Sequence, residues 1–117
     1  MAAPNIINAT TINGKTAGLA VTASATAIVS NASGSGKALK LNALYCSNVA
    51  ASNGWVTVDV YKNATTAYRI AYQITVPTNA TLDVLSQPVY LEENDSLRLT
   101  ANATTTIEAV CSYEDIS

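Results

Sequence analysis

The chain contains no histidine and no phenylalanine, and only 12% of its 117 residues are charged. Without His it lacks the usual general base, the commonest metal ligand and any Ser-His-Asp arrangement. Two cysteines, Cys46 and Cys111, are too few for a structural zinc site that has no His to complete it. Both fall in strand-like runs, and no charged-then-apolar leader precedes them, so they are expected as reduced, buried thiols and not as a disulfide. The six basic residues are scattered at 15, 37, 40, 62, 69 and 98, and the net charge is −2. No basic cluster exists to hold a nucleic-acid backbone. No run approaches the roughly 20 apolar residues of a membrane span. With so little charge, the surface must be built largely from Thr, Ser, Asn and Ala. Such a surface gives up little hydration when it meets a partner.

What the chain does have is a repeated turn chemistry. Asn-Ala-Thr occurs at residues 8–10, 63–65, 79–81 and 102–104. Asn tolerates the left-handed backbone of tight turns, while Thr and Val suit a pleated, half-buried surface. The spacings are unequal, which excludes a solenoid. Between the turns, apolar residues alternate. Strands are expected at 17–22, 26–30, 38–48, 81–86 and 89–91, with a bulge near Leu44. After the turn signal Asn53-Gly54, Val56, Val58 and Val60 face one way and Trp55, Thr57, Asp59 and Tyr61 the other. Tyr68, Ile70, Tyr72, Ile74 and Val76 share a face until Pro77. Leu97, Leu99 and Ala101, then Ile107, Ala109, Cys111 and Tyr113, form the inner faces of two last strands. No window holds a 3.6-residue period. Eight to ten short strands at these intervals predict an all-β, antiparallel β-sandwich of jelly-roll type, with a small closed barrel as the alternative. The expected core is Leu39, Leu41, Val56, Val58, Val60, Ile70, Ile74, Leu82, Leu97, Leu99 and Ile107. Residues 1–12 read as an extended, uncharged arm and 13–117 as one domain.

Motifs that hint at chemistry weaken on inspection. Gly34-Ser35-Gly36-Lys37 has Asn31 and Ala38 where a phosphate loop needs Gly and Ser or Thr, and it leads into a strand. Glu92, Glu93, Asn94 and Asp95 lack the alternating ligands and central Gly of a calcium loop. Six Asn-x-Ser/Thr triplets match the glycosylation pattern, but turn chemistry accounts for them in a chain this rich in Asn and Thr. Trp55 and Tyr61, opposite the valine face, are candidates for exposed aromatic area, while Tyr68 and Tyr72 are expected inside.

Three segments are the most recognisable. Met1-Ala2-Ala3-Pro4-Asn5-Ile6-Ile7-Asn8, Val89-Tyr90-Leu91-Glu92-Glu93-Asn94-Asp95-Ser96-Leu97 and Val110-Cys111-Ser112-Tyr113-Glu114-Asp115-Ile116-Ser117 resemble a family of small virion proteins from tailed marine phages, particularly cyanophages. The resemblance implies a β-rich particle protein, most of all a capsid decoration or cement protein. Its implied partner is the major capsid protein or another virion protein, bound as a homo-oligomer, with a trimer favoured. It implies assembly into the virion in the bacterial host cytoplasm, with no catalytic motif, cofactor, nucleic acid or membrane. A neck or tail connector, and a carbohydrate-binding head fibre using Trp55, are the other readings. The expected partner-binding residues are Asn5, Ile6, Ile7 and Ile12 of the arm, which would lie along a sheet edge, together with Trp55 and Tyr61.

Overall fold

Alternation of apolar and polar residues over short runs dictates strands with one buried face, and two such sheets must bury those faces against each other. The computed structural model describes residues 9–117 and arranges them in this way. The first sheet is built on β9 (Ile107–Ile116), flanked by β1 (Ile12–Val21) and β3 (Ala38–Asn48). On the far side of β3, two short strands, β6 (Thr81–Asp83) and β7 (Val89–Leu91), share one edge end to end. The second sheet runs β2 (Thr26–Ser30), β8 (Ser96–Ala101), β4 (Gly54–Lys62), β5 (Thr66–Val76). All pairings are antiparallel. The chain crosses between sheets at every connection except the β4–β5 hairpin and the step from β6 to β7. The expected antiparallel sandwich therefore forms, with jelly-roll-like crossings. The two sheets do not close into a barrel, so they keep edges. Among the described residues there is no helix, and hence none that could cross a membrane.

Between the sheets lie Val21, Leu41, Leu44, Cys46, Val56, Val58, Leu91, Leu97, Leu99, Ile107 and Cys111, all fully buried. Leu39 is buried too, and Val60 and Leu82 pack partly buried against this cluster. Three expectations need correction. The first strand starts at Ile12, not Ala17, because β1 pairs with β9 along its whole length and the ladder, not the polar sequence Asn13-Gly14-Lys15, decides its extent. In β3 the register shifts between Leu41 and Ala43, before the expected position. Leu44 and Cys46 consequently turn inward, while Tyr45 faces out.

The third correction is the largest. Tyr68, Ile70, Tyr72 and Ile74 are exposed, with only Val76 of that series buried. Two register shifts opposite Val56, Val58 and Asp59 break the alternation, and Gln73 takes a positive φ of 48° there. Its N–H donates to Thr57 Oγ1 at 2.9 Å. Ala71, paired with Val58, becomes the residue that packs on the core. A bulge inserts an unpaired residue and so resets which parity faces inward.

Candidate interaction surfaces

The residues that resembled ligand motifs are occupied by the chain itself. Asp95, in the connection from β7 to β8, accepts 2.7 Å from Lys62 Nζ, 2.9 Å from the Asn63 N–H and 3.0 Å from the Glu92 N–H. Burial pushes its carboxyl up, but the Lys62 bond and the two backbone donors outweigh that and hold it below the usual carboxylate range. The Gly36 N–H, in the loop resembling a phosphate cradle, donates to Glu93 Oε2 at 2.8 Å, and Lys37 turns away to Asp115. Asp115 is buried between Lys15 at 3.2 Å and Lys37 at 3.1 Å. Burial opposes its ionisation, and the two lysines prevail, lowering its pKa. Asn31 closes the same end, donating from Nδ2 to the Lys37 and Leu91 carbonyls. These groups tie the loops at one end of the sandwich together. Among the described residues no three His, Cys, Asp or Glu side chains gather as a metal site.

Cys46 and Cys111 are free and fully buried on neighbouring strands. Burial raises the Cys46 thiol to about 12, with Cys111 adding to the shift, and burial raises Cys111 to about 11. Neither is a nucleophile at neutral pH.

Trp55 and Tyr61 share the outer face of the second sheet, but six residues of strand, roughly 20 Å, separate them. The space between holds Thr57 and Asp59, both buried. Arg98, paired across from Asp59, donates from Nε to Asp59 Oδ1 at 2.9 Å and lays its guanidinium 3.9 Å from the Tyr61 ring centre. Tyr61 is thus capped by an arginine from its own chain, and Trp55 stands apart beside Asn102. Ile12 pairs with Ile116, while Thr10 and Thr11 hold the Ser117 carbonyl. Asn5, Ile6 and Ile7 lie outside the described residues.

Two apolar surfaces escaped sequence reasoning. One is the edge strand β5, where Tyr68 is 62% and Tyr72 58% exposed, beside half-exposed Ile70 and Ile74. Its partner layer is thin there, because the opposite sheet ends in two three-residue strands, β6 and β7. The other is a row across the outer face of the first sheet, where register sets Asp83 beside Tyr45, Tyr45 beside Val110 and Val110 beside Gly18. The bulge in β3 is what turns Tyr45 outward, so the row follows from it.

No protein-family model matches the sequence, and no curated protein matches it. Among solved structures, the chain is similar over 100% of its length, and 96% of the other's, to a chain of Bacillus endospore appendages, described as a novel family of disulfide-linked pili. The TM-score is 0.57 at 14% identity, a likeness of fold. A pentameric capsid protein from metagenomic phage sequences aligns with 85% of this chain and 59% of its own, at 18% identity and a TM-score of 0.39, too slight to carry an argument.

Proposed function

We propose that this protein is a non-enzymatic structural subunit of a phage particle, most specifically a decoration or cement protein that binds the major capsid lattice as a symmetric oligomer. The observation that carries this reading is a sandwich whose ligand-like loop groups are bound by its own chain, while among the described residues two apolar patches and a long edge strand stay open. Exposed patches of this kind on a small domain mark contact surfaces. Low charge keeps the cost of burying them small. The resemblance of both chain ends to small virion proteins of tailed marine phages points the same way. The endospore-appendage chain of similar fold is described as forming pili, and a role built from repeated subunits suits this chain as well. In this reading the uncharged arm containing Asn5, Ile6 and Ile7 contacts the neighbouring subunit or the capsid, and the protein resides in the virion.

Quantitative labelling of purified particles tests the proposal. Copy numbers in the hundreds, spread over the head, are expected from a lattice-binding protein. A single ring of copies at the tail axis would move the protein to the connector, and absence from particles would refute the virion role. Glycan binding that disappears in Trp55→Ala would favour the head-fibre reading instead.

A further inference from the structure

The second sheet ends in an edge that no described residue pairs with. β5 is eleven residues long, bonds only to β4 and contains no proline or lysine. Its one charge, Arg69, is set beside Asp59 on the outer face. The two register shifts lie in its middle, so residues 66–69 and 74–76 keep regular pairing. Natural edges are blunted by lysine, proline or shortness. The other edges fit that rule, since β2 has five residues, β6 and β7 three each, and β1 carries Lys15 and two glycines. On the inner side of β5, Tyr68 beside Val60 and Ile74 beside Val56 remain exposed. The opposite sheet ends on this side in β6 and β7, whose inward Leu82 and Val89 are only partly buried. An open strand edge thus runs along an apolar notch.

We infer that this edge binds residues 1–8 of a second copy of the chain, paired as an extra strand with Ile6 or Ile7 over the notch. The described residues begin at Ala9, and its position selects the occupant. Thr11 and Ser117 exchange backbone bonds at 2.9 and 3.0 Å, and the Thr10 N–H donates to the Ser117 carbonyl at 2.7 Å. The β1–β9 ladder therefore continues past Ile12 and aims the preceding chain beyond that end of the sandwich. β1 packs beside β2, on the margin opposite β5. Three strand spacings and one gap between sheets, roughly 17 Å, separate the two margins. Eight extended residues reach at most about 28 Å, so an arm turned back to its own β5 would have only about three residues left to pair there. Donated to a neighbour, all eight are available. The arm's chemistry suits the notch, because residues 1–8 carry no charged side chain. Successive side chains of a strand alternate, so either facing of Pro4-Asn5-Ile6-Ile7-Asn8 turns one isoleucine inward. Main-chain bonds supply affinity and that isoleucine the specificity. Each copy has one arm and one open edge, so the contact repeats from copy to copy. The inference rests on the proposed oligomeric decoration protein and names where its arm docks, and its test uses no phage particles.

Sedimentation velocity of the full-length protein from roughly 10 to 500 µM, with hydrogen exchange on the same samples, is the measurement. Wild type is expected to self-associate, and the amides of residues 66–76 should exchange more slowly as it does. An arm variant, Ile6→Lys with Ile7→Lys, and an edge variant, Tyr68→Lys with Ile74→Lys, should each weaken association at least about tenfold. Circular dichroism should show both folded, because Tyr68 and Ile74 are exposed and the arm lies outside the core. In the arm variant the β5 amides should lose their added protection. Mixing the two variants decides the matter. The arm variant keeps a working edge and the edge variant a working arm, so heterodimers that do not grow are expected. A monomeric wild type, an arm variant of wild-type size, protection at β1 or β2 instead of β5, or a mixture that stays monomeric would each overturn the inference. Protection of β5 that appears only on particles would overturn it too, assigning the edge to a capsid segment. A monomer that still saturates capsids would leave the virion role standing without this contact. Arm-linked oligomers that never bind particles would do the reverse.

Discussion

Lys62, the last residue of β4, holds Asp95 of the β7–β8 connection at 2.7 Å, and it does so while 40% of its own side chain is exposed and only 2% of the Asp95 side chain is. The carboxylate is the buried partner and the ammonium its lid. The hydrogen bond to Asp95 raises the pKa of Lys62 despite partial desolvation, and that bond with two backbone donors lowers the pKa of Asp95. For a carboxylate of depressed pKa, the stabilisation is present above the unfolded value, near 4, and is lost as pH falls through the folded value. For the lysine it is present below the unfolded value, near 10.4, and is lost as pH rises through the raised one. Asp95→Ala should therefore cost about 2 kcal/mol at neutral pH, most of it from the stranded Asn63 and Glu92 N–H groups. Chemical denaturation across pH checks this. The gap between wild type and variant should be flat from about pH 5 to 9 and narrow below about pH 4.

Gly54 is required for space. Its φ is unremarkable, but an added Cβ would lie 2.6 Å from Thr106 Cγ2 and 2.6 Å from Asn102 Oδ1. Gly54→Ala should destabilise by about 1–3 kcal/mol, the usual cost of overpacking. Thr106→Ser removes one of the two obstructing atoms. The double variant should accordingly be more stable than the sum of the single effects, a coupling that a double-mutant cycle in urea would read directly.

Residue parity identified most strands and much of the core, and where it failed the failures share one cause. Leu97, Leu99, Ile107, Ala109 and Cys111 are buried as their alternation requires, because β8 and β9 run without a bulge between two neighbours each. The Asn-Ala-Thr turns were legible for the same local reason, with Asn63 and Asn79 both at positive φ. β5 was not. Its apolar alternation is as clean as that of β4, yet it lies at an edge, faces two very short strands, and is reset by two bulges. Edge position and bulges depend on which strands meet, information that a period of two does not contain. The two surfaces involving Tyr68, Tyr72 and Tyr45 were hidden for that reason. Trp55 and Tyr61 were placed on the correct face, but the cap on Tyr61 comes from Arg98, distant in sequence.

The β4–β5 hairpin carries removable strain. Lys62 O accepts the Thr65 N–H at 3.0 Å, and both central residues, Asn63 and Ala64, have φ of 52°. Such a two-residue turn prefers Asn-Gly. Left-handed backbone costs an alanine about 1–2 kcal/mol, while glycine forfeits about 0.5–1 in chain entropy. Ala64→Gly should thus stabilise the fold by roughly 0.5–1 kcal/mol. A raised denaturation midpoint at unchanged m-value is the expected signature.

Thiol chemistry offers a separate probe of the interior. Cys46 and Cys111 have no exposed surface, and burial raises their pKa values to about 12 and 11. In native protein at pH 8 an aromatic disulfide reagent should react with neither at an appreciable rate, and with both on unfolding. Rapid labelling of either in the folded state would show that the sheets separate readily at β3 and β9.

Two aspartate substitutions separate the face that the fold buries from the one that sequence alone would have buried. Val58 is fully buried between Leu99 on β8 and Ala71 on β5, and Ile70 is 38% exposed on the outermost strand. By alternation both belong to the core. Val58→Asp would bury an unpaired carboxylate and leave a cavity beside it, costing at least about 4 kcal/mol. Ile70→Asp keeps its charge in water, and its cost should stay near 1 kcal/mol, the span of strand propensity at such a site. Comparable destabilisation by the two substitutions would show that β5 is covered by the fold, and the bulged register of its pairing with β4 would have to be redrawn.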